Sequence, residues 1–487
     1  MTGMDKHGGR HASRWQVLTL LLSCSPLAIA PQVHAQTLEP TTPTRYDTIH
    51  SSPTGLAVDA TNELSTTVNI SENAESESHG FVNGEPDYTA DLNQPQTVGF
   101  ADTMGGEPLN DASLVSSDPT GIRLGTFILR STTSQSVNRE TIRTGDTKTS
   151  RNYLTTSIRG SLVSDWSRHE LSVTGEGTFE RNFGSDNRFE PEGQVETNLR
   201  LDLADDTIAN FSGDYSFERE DTNDPNAIGG AAAQSGVHQF GGRLTLERST
   251  GIVHGRAGIG VTREIYTNAE LQDGSQLDLA DRDRTAVDGR LRLGYEISPA
   301  LIPFVEVGGG RTRYDETRDS GGYQRSSWMA SARTGVEVDL SEKLRGELAL
   351  GYAKVDYDDW RLETLDAITL DGRVHWSPQR GTDVELALLT TLQDSTAPGE
   401  SGWAEYNVTT TVTHQLRHNL VGRLTGGSTF RDFATNYRET TWLIGSGLTW
   451  MLNPYIDLTA DAEYEWTDRD SGDTATWRAG LGVTLRR

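Results

Sequence analysis

One cysteine in 487 residues leaves no disulfide framework to build on, and that cysteine, Cys24, lies inside the apolar run Trp15 to Ala30. A chain without thiols beyond that point suits export through an oxidising compartment, where mispairing is a hazard. Apolar residues are also scarce, at 34%. With the 50 glycines counted and the 14 tyrosines left out the share is about 41%, still under the 45–50% of soluble domains, so a set of ordinary buried cores is a poor fit. No extended Lys/Arg run appears, and the net charge is −27. Both facts disfavour nucleic acid as a partner, since phosphates need basic surface. There is no phosphate-cradling Gly-x-x-x-x-Gly-Lys-Ser/Thr loop and no His-Glu-x-x-His helix.

The N-terminus reads as an address. Lys6, Arg10 and Arg14 precede the apolar run, and Val33-His-Ala35 offers small-residue cleavage before Gln36. Residues 1–35 are therefore expected to be a signal peptide. Leu21-Leu-Ser-Cys24 loosely matches an acylation box, but Leu22 is bulky for its place and the apolar run continues past it. Residues 36–117 hold thirteen Asp/Glu against the single Arg45. Such a composition buries too little apolar surface to offset chain entropy, so a disordered acidic periplasmic tail is expected.

Alternation governs the rest, residues 118–487. Ile456, Leu458, Ala460, Ala462, Tyr464 and Trp466 take even positions while Asp457, Thr459, Asp461, Glu463 and Glu465 take odd ones. Successive strand side chains point to opposite faces, so one face is apolar and the other acidic. The pattern returns from Ala475 to Leu485 after Asp468-Arg-Asp-Ser-Gly-Asp473. Strands of about 9–11 residues with this dyad repeat suit lipid outside and water inside. Eighteen strands are expected, the first carried by Ile122, Leu124, Thr126 and Ile128, with Gly308-Gly-Gly310 marking a bulge in the ninth. The fold class is all-β: a transmembrane antiparallel up-and-down β-barrel.

Short connections such as Ser164-Asp-Trp-Ser-Arg-His169 and Arg417-His-Asn419 alternate with long ones such as Asp221 to Gly236, Asn268 to Arg284 and Thr391 to Gly402. Outer-membrane barrels place the short side in the periplasm. Trp442 and Trp450 lie eight residues apart on one face. That is about 20 Å of membrane height at roughly 40° of tilt, near the apolar band. Trp166, Trp376 and Tyr455 beside short turns, with Trp328, Trp360, Trp403, Trp466 and Trp477 beside long ones, complete two aromatic girdles.

Gly121-Ile-Arg-Leu-Gly-Thr-Phe127, the turn Ser164 to Leu171 and the close Gly480-Leu-Gly-Val-Thr-Leu-Arg-Arg487 resemble the β-barrel porin family of type 2. The resemblance implies a barrel in the outer membrane of a Gram-negative bacterium, with some relatives tied to exopolysaccharide secretion. The terminal Leu485-Arg-Arg487 departs from the aromatic end commonly recognised by the barrel-insertion machinery.

No catalytic, cofactor-binding or metal-binding residue is assigned. Asp468 to Asp473 spaces carboxylates as a calcium loop might but lacks the distal Glu. Ser167 and His169 share a turn, and His254 and His375 face the lumen singly. Lumenal positions including Glu176, Arg200, Asp214, Arg256, Asp288 and Arg290 mix both signs, as do Arg292, Glu296, Arg345, Glu347, Asp371 and Arg373. With Asp457, Asp461, Glu463, Glu465 and Arg478 they either set a transverse field or pair across the lumen. Side chains facing water, such as Arg292 and Asp457, are expected to tolerate alanine better than Leu293 and Leu458 tolerate arginine. Composition and pattern together point to a passive channel for small hydrophilic solutes. The alternative is the outer-membrane barrel of an exopolysaccharide exporter with a periplasmic partner.

Overall fold

A computed structural model describes residues 121–487, apart from 184–188, 204–205, 222–223, 341–342, 436 and 470–471. The expected signal peptide, the Cys24 site and the acidic tail lie outside the described residues. Nineteen strands join one antiparallel sheet. Eighteen of them, from Phe127–Thr144 to Thr474–Arg486, form a wall in which each pairs with its neighbours in chain order. Pairing of Thr132 with Arg486 through Thr144 with Thr474 closes the circle. Closure removes the sheet edges, the condition for spanning a bilayer with strands.

The first wall strand is not where the sequence placed it. Ile122–Leu124 is a three-residue strand that folds back on Phe127–Leu129. The wall strand then runs on through Thr144, turns at Gly145 (φ 56°) and returns as Thr147–Ser164. Its outward positions beyond Leu129 read Ser131, Thr133, Gln135, Val137, Arg139, Thr141 and Arg143, so there is almost no apolar alternation to detect. Gly308-Gly-Gly310, expected as a bulge, lies in regular strand. Pairing continues unbroken through all three residues on both sides, so no bulge exists.

Faces fall as the alternation demands. Leu291, Leu293, Ile444, Leu448 and Leu481 are exposed outward, whereas Asp288, Arg292, Thr459 and Thr476 point in and are buried. Of the expected girdle, Trp166, Trp376, Trp328, Trp442, Trp450 and Trp477 face outward and are exposed. Trp403 does not join them. It is fully buried, its ring 5.2 Å from that of Phe433.

One rim has connections of two to five residues, the other of two to seventeen. A tag inserted after Gly229 or Gly399, both at exposed loop positions, should be labelled on intact cells. A tag after Pro299 should be reached only once the outer membrane is permeabilised. Reversed labelling would invert the orientation.

Candidate transport channel

The lumen is lined by ion pairs between neighbouring strands. Opposed register brings Arg292, Glu306 and Arg333 into one row across three strands. Arg292 donates to Glu306 (2.7 Å), Glu337 (2.9 Å) and Glu347 (2.8 Å), with its guanidinium 4.0 Å from the Phe304 ring centroid. Arg333 binds Glu306 at 2.8 Å and Asp371 at 3.3 Å. At the closing seam Glu140 accepts from Arg151 on one side (2.6 Å) and Arg478 on the other (2.5 Å). The sequence left open a transverse field or pairing across the lumen; these pairs instead run along the wall, mostly between adjacent strands.

Inward glycines make some of these pairs possible. Arg243, Gly260 and Asp288 share one register on three successive strands, and Arg243 reaches over the glycine to Asp288 at 3.0 Å. A Cβ at Gly260 would stand 2.6 Å from the Asp288 carboxylate and 2.7 Å from the guanidinium. Arg423, Gly447 and Asp461 repeat the device, with an ion pair of 3.1 Å.

Side chains and backbone of an inward strand occupy the long-loop end of the lumen. Strand Thr382–Asp394 pairs with Leu365–Gln379 only up to Leu388 and Gly372. Beyond it, Leu389 to Asp394 are buried at every position, and Leu392 packs on lumen-facing Met329, Ala353, Val355, Leu365 and Ala367. The strand therefore leaves the wall and runs inside it. Its last residue, Asp394, accepts from Arg284 (3.0 Å), Tyr314 (3.0 Å) and Tyr357 (2.6 Å). The loop expected from Thr391 is shortened accordingly to residues 395–401.

Five loops knit over this inner strand. Asn226 donates to the Asp394 carbonyl (3.0 Å) and accepts from the Thr396 amide (2.8 Å). Arg282 binds Glu220 (3.0 Å), the Asn226 carbonyl (3.2 Å) and Thr396 (3.2 Å). Buried Arg325 donates to the carbonyls of Ser395, Ala397 and Glu400. Asp359 accepts from the Gln324 amide, and Asp281 from the Ser320 amide. Toward the short-turn end the lining loosens, and Arg200, Glu247, Glu296 and Arg345 are only half-buried. Nothing in the sequence marked Arg282 or Arg325, because a basic loop residue ordinarily reads as solvated.

Burial pushes the Glu220 carboxyl up to about 7 against the pull of Arg282, with Glu264 adding repulsion. Neighbouring Asp224 is raised well above the usual range, by burial first and then by Glu220. The closed cap thus binds protons that a solvated carboxylate would release. Its stability from Glu220 is fully present below the ordinary carboxylate pKa, near 4.5, and is lost as pH rises through about 7. Conductance should rise between pH 5 and pH 8, and Glu220→Gln should flatten that rise.

His254 is not solitary. Its Nδ1 lies 2.8 Å from Ser249 Oγ and its Nε2 2.9 Å from Glu296. His375 Nε2 stands 3.5 Å from Asp383. Ser167 and His169 are not joined, since the His169 ring nitrogen accepts from the Asp202 amide instead.

Residues 116–487 match the family model described as "Putative beta-barrel porin 2". The chain belongs to this family. Among solved structures it is similar to OpdO of Pseudomonas aeruginosa, with 10% identity over 74% of this chain and 97% of that one, at a TM-score of 0.39. Corresponding values for the outer membrane protein OpdK of the same organism are 10%, 74%, 99% and 0.38. For the siderophore receptor PirA of Acinetobacter baumannii they are 9%, 73%, 80% and 0.37. No curated protein matches the chain. Membership makes this barrel a porin-like channel protein of the Gram-negative outer membrane, its apolar face against the bilayer.

Proposed function

We propose that the barrel is a passive channel for small hydrophilic solutes whose outward mouth is closed by the inner strand and its loops. The observation that carries this reading is the division of faces: apolar side chains outward around a closed wall of eighteen strands, charged and hydroxyl side chains inward. A wall of 16–18 strands is wide enough to hold a water-filled passage. Paired lumenal charges would discriminate weakly between small ions, because a pore's preference follows unbalanced charge at its constriction. The channel needs no catalytic residue.

Residues 1–35 would be removed on export, and residues 36–117 would remain as an acidic tail in the periplasm. Insertion would use the cell's barrel-assembly machinery. Planar-bilayer recording tests the reading: discrete steps with weak cation preference are expected, and a protein that folds but never conducts, even at pH 8, would overturn it. Deleting residues 36–117 should leave the reversal potential nearly unchanged, since charges beyond about 8–10 Å are screened at physiological salt. A large shift toward anions would put the tail in the lumen. Polysaccharide export with a periplasmic partner stays the rival; conduction by the isolated barrel counts for the channel.

A further inference from the structure

We propose that the outward face of the first hairpin is a binding site for a phosphorylated lipid of the outer leaflet, formed by Arg139, Arg143 and Lys148. The hairpin is made of the two longest strands in the wall, eighteen residues each, ending at the long-loop rim. All three cations are at outward, exposed positions. Arg143 and Lys148 sit directly opposite each other across the strand pair. Like charges so placed repel, and an anion between them reverses the sign of that interaction. Between this pair and Arg139, which stands opposite Asn152, the Thr141 and Ser150 hydroxyls meet at 3.0 Å and can turn their protons to a ligand. Arg139 and Arg143 lie about 13 Å apart along the strand, within joint reach of their long side chains.

Two observations tie the ligand to the membrane. On the adjoining strand, outward Trp477 pairs with Thr141, between the registers of the two arginines. Exposed outward tryptophan marks headgroup level, so the cations stand where lipid phosphates lie. The second is a contrast with four other outward cations near the same rim, where even Arg313, which forms no direct pair among the described residues, lies beside Asp315. Outward Arg263, Arg311, Lys354 and Arg438 each have a carboxylate partner, namely Asp315, Asp358, Asp356 and Asp432. Among the described residues, Arg139, Arg143 and Lys148 have none, and Asp146 in their own turn pairs with neither neighbour. Arginine and lysine together suit phosphate, one by its planar fork and the other as a point charge. The outer leaflet supplies phosphate as the diphosphorylated glucosamine headgroup of its glycolipid.

The site rests on the long-loop rim facing outward, which the tagging experiment reads separately. The test uses the full-length protein in detergent, with lipid A as probe and native mass spectrometry as readout. Arg139→Gln/Arg143→Gln/Lys148→Gln should weaken retention about a hundredfold, at roughly fivefold per cation. Dephosphorylated lipid A should bind both proteins equally poorly. Single-channel conductance should be unchanged, because none of the three lines the lumen; the channel reading therefore stands or falls independently. Lys148→Glu alone, at an exposed end of the hairpin, asks the same question with little risk to folding. Equal retention by variant and unaltered protein would overturn the proposal. So would displacement of the lipid by millimolar inorganic phosphate, which would make a soluble anion the ligand.

Discussion

Asp394→Ala should raise the single-channel conductance several-fold. The Asp394 carboxylate accepts from Arg284, Tyr314 and Tyr357 at the point where the inner strand gives way to residues 395–401. Arg284 is buried and would lose one of its carboxylate partners while keeping Glu264. Removing one member of a buried ion pair typically costs about 3–5 kcal/mol. That loss falls on the cap, because Leu389 to Asp394 pair along one edge only, with strand Gly402–Arg417. The wall keeps its own ladders. Planar-bilayer recording at pH 6, where Glu220 still favours closure, gives the clearest reading. Unchanged step size would mean that the inner strand does not obstruct the pore.

Arg292→Ala should destabilise the barrel more than Leu293→Arg. Pattern alone predicts otherwise, since Arg292 faces the watery side and Leu293 the lipid. The structure reverses that ranking. Arg292 is buried among Glu306, Glu337 and Glu347, and its loss leaves three carboxylates with fewer counter-charges. A cost of about 3–5 kcal/mol follows, whereas an arginine on the lipid face costs roughly 2–4 kcal/mol at the midplane and less near the rim, where Leu293 lies two residues before Tyr295. Asp457 departs from the expectation in the same direction, being buried against Arg486 at 2.8 Å. Urea refolding titrations in lipid vesicles compare the variants directly. If Arg292→Ala cost well under 1 kcal/mol, the ion pairs would be solvated and the lumen open along its length.

The wall was legible in sequence because a bilayer enforces strict alternation on any strand it touches. From Leu154 to Leu485 the outward residues announce themselves by apolarity, and strand number and closure follow. Legibility failed where that enforcement lapses. The first wall strand carries Thr133, Gln135, Arg139 and Arg143 outward, so alternation gave no signal there. Alternation also stops at Leu388-Leu389, which reads as the end of a strand. The chain in fact continues as a strand buried on both faces, with no contrast left to detect. Partners were less legible than faces. That Arg243 reaches Asp288 across Gly260 depends on register between three strands, which no local window contains.

The cap has an arrangement along the chain with a consequence for descent. Among the described residues, the hydrogen bonds named above that join one cap loop to another lie between Glu220 and Glu400. The opposite arc of the same rim, built from both ends of the barrel sequence, has connections of only two to six residues. The gate is thus a contiguous cassette, whereas the seam that closes the cylinder belongs to its flanks. A single pair of crossover points could exchange the gate between paralogues and leave the barrel's closure untouched, so that permeability and antigenic surface would be inherited together.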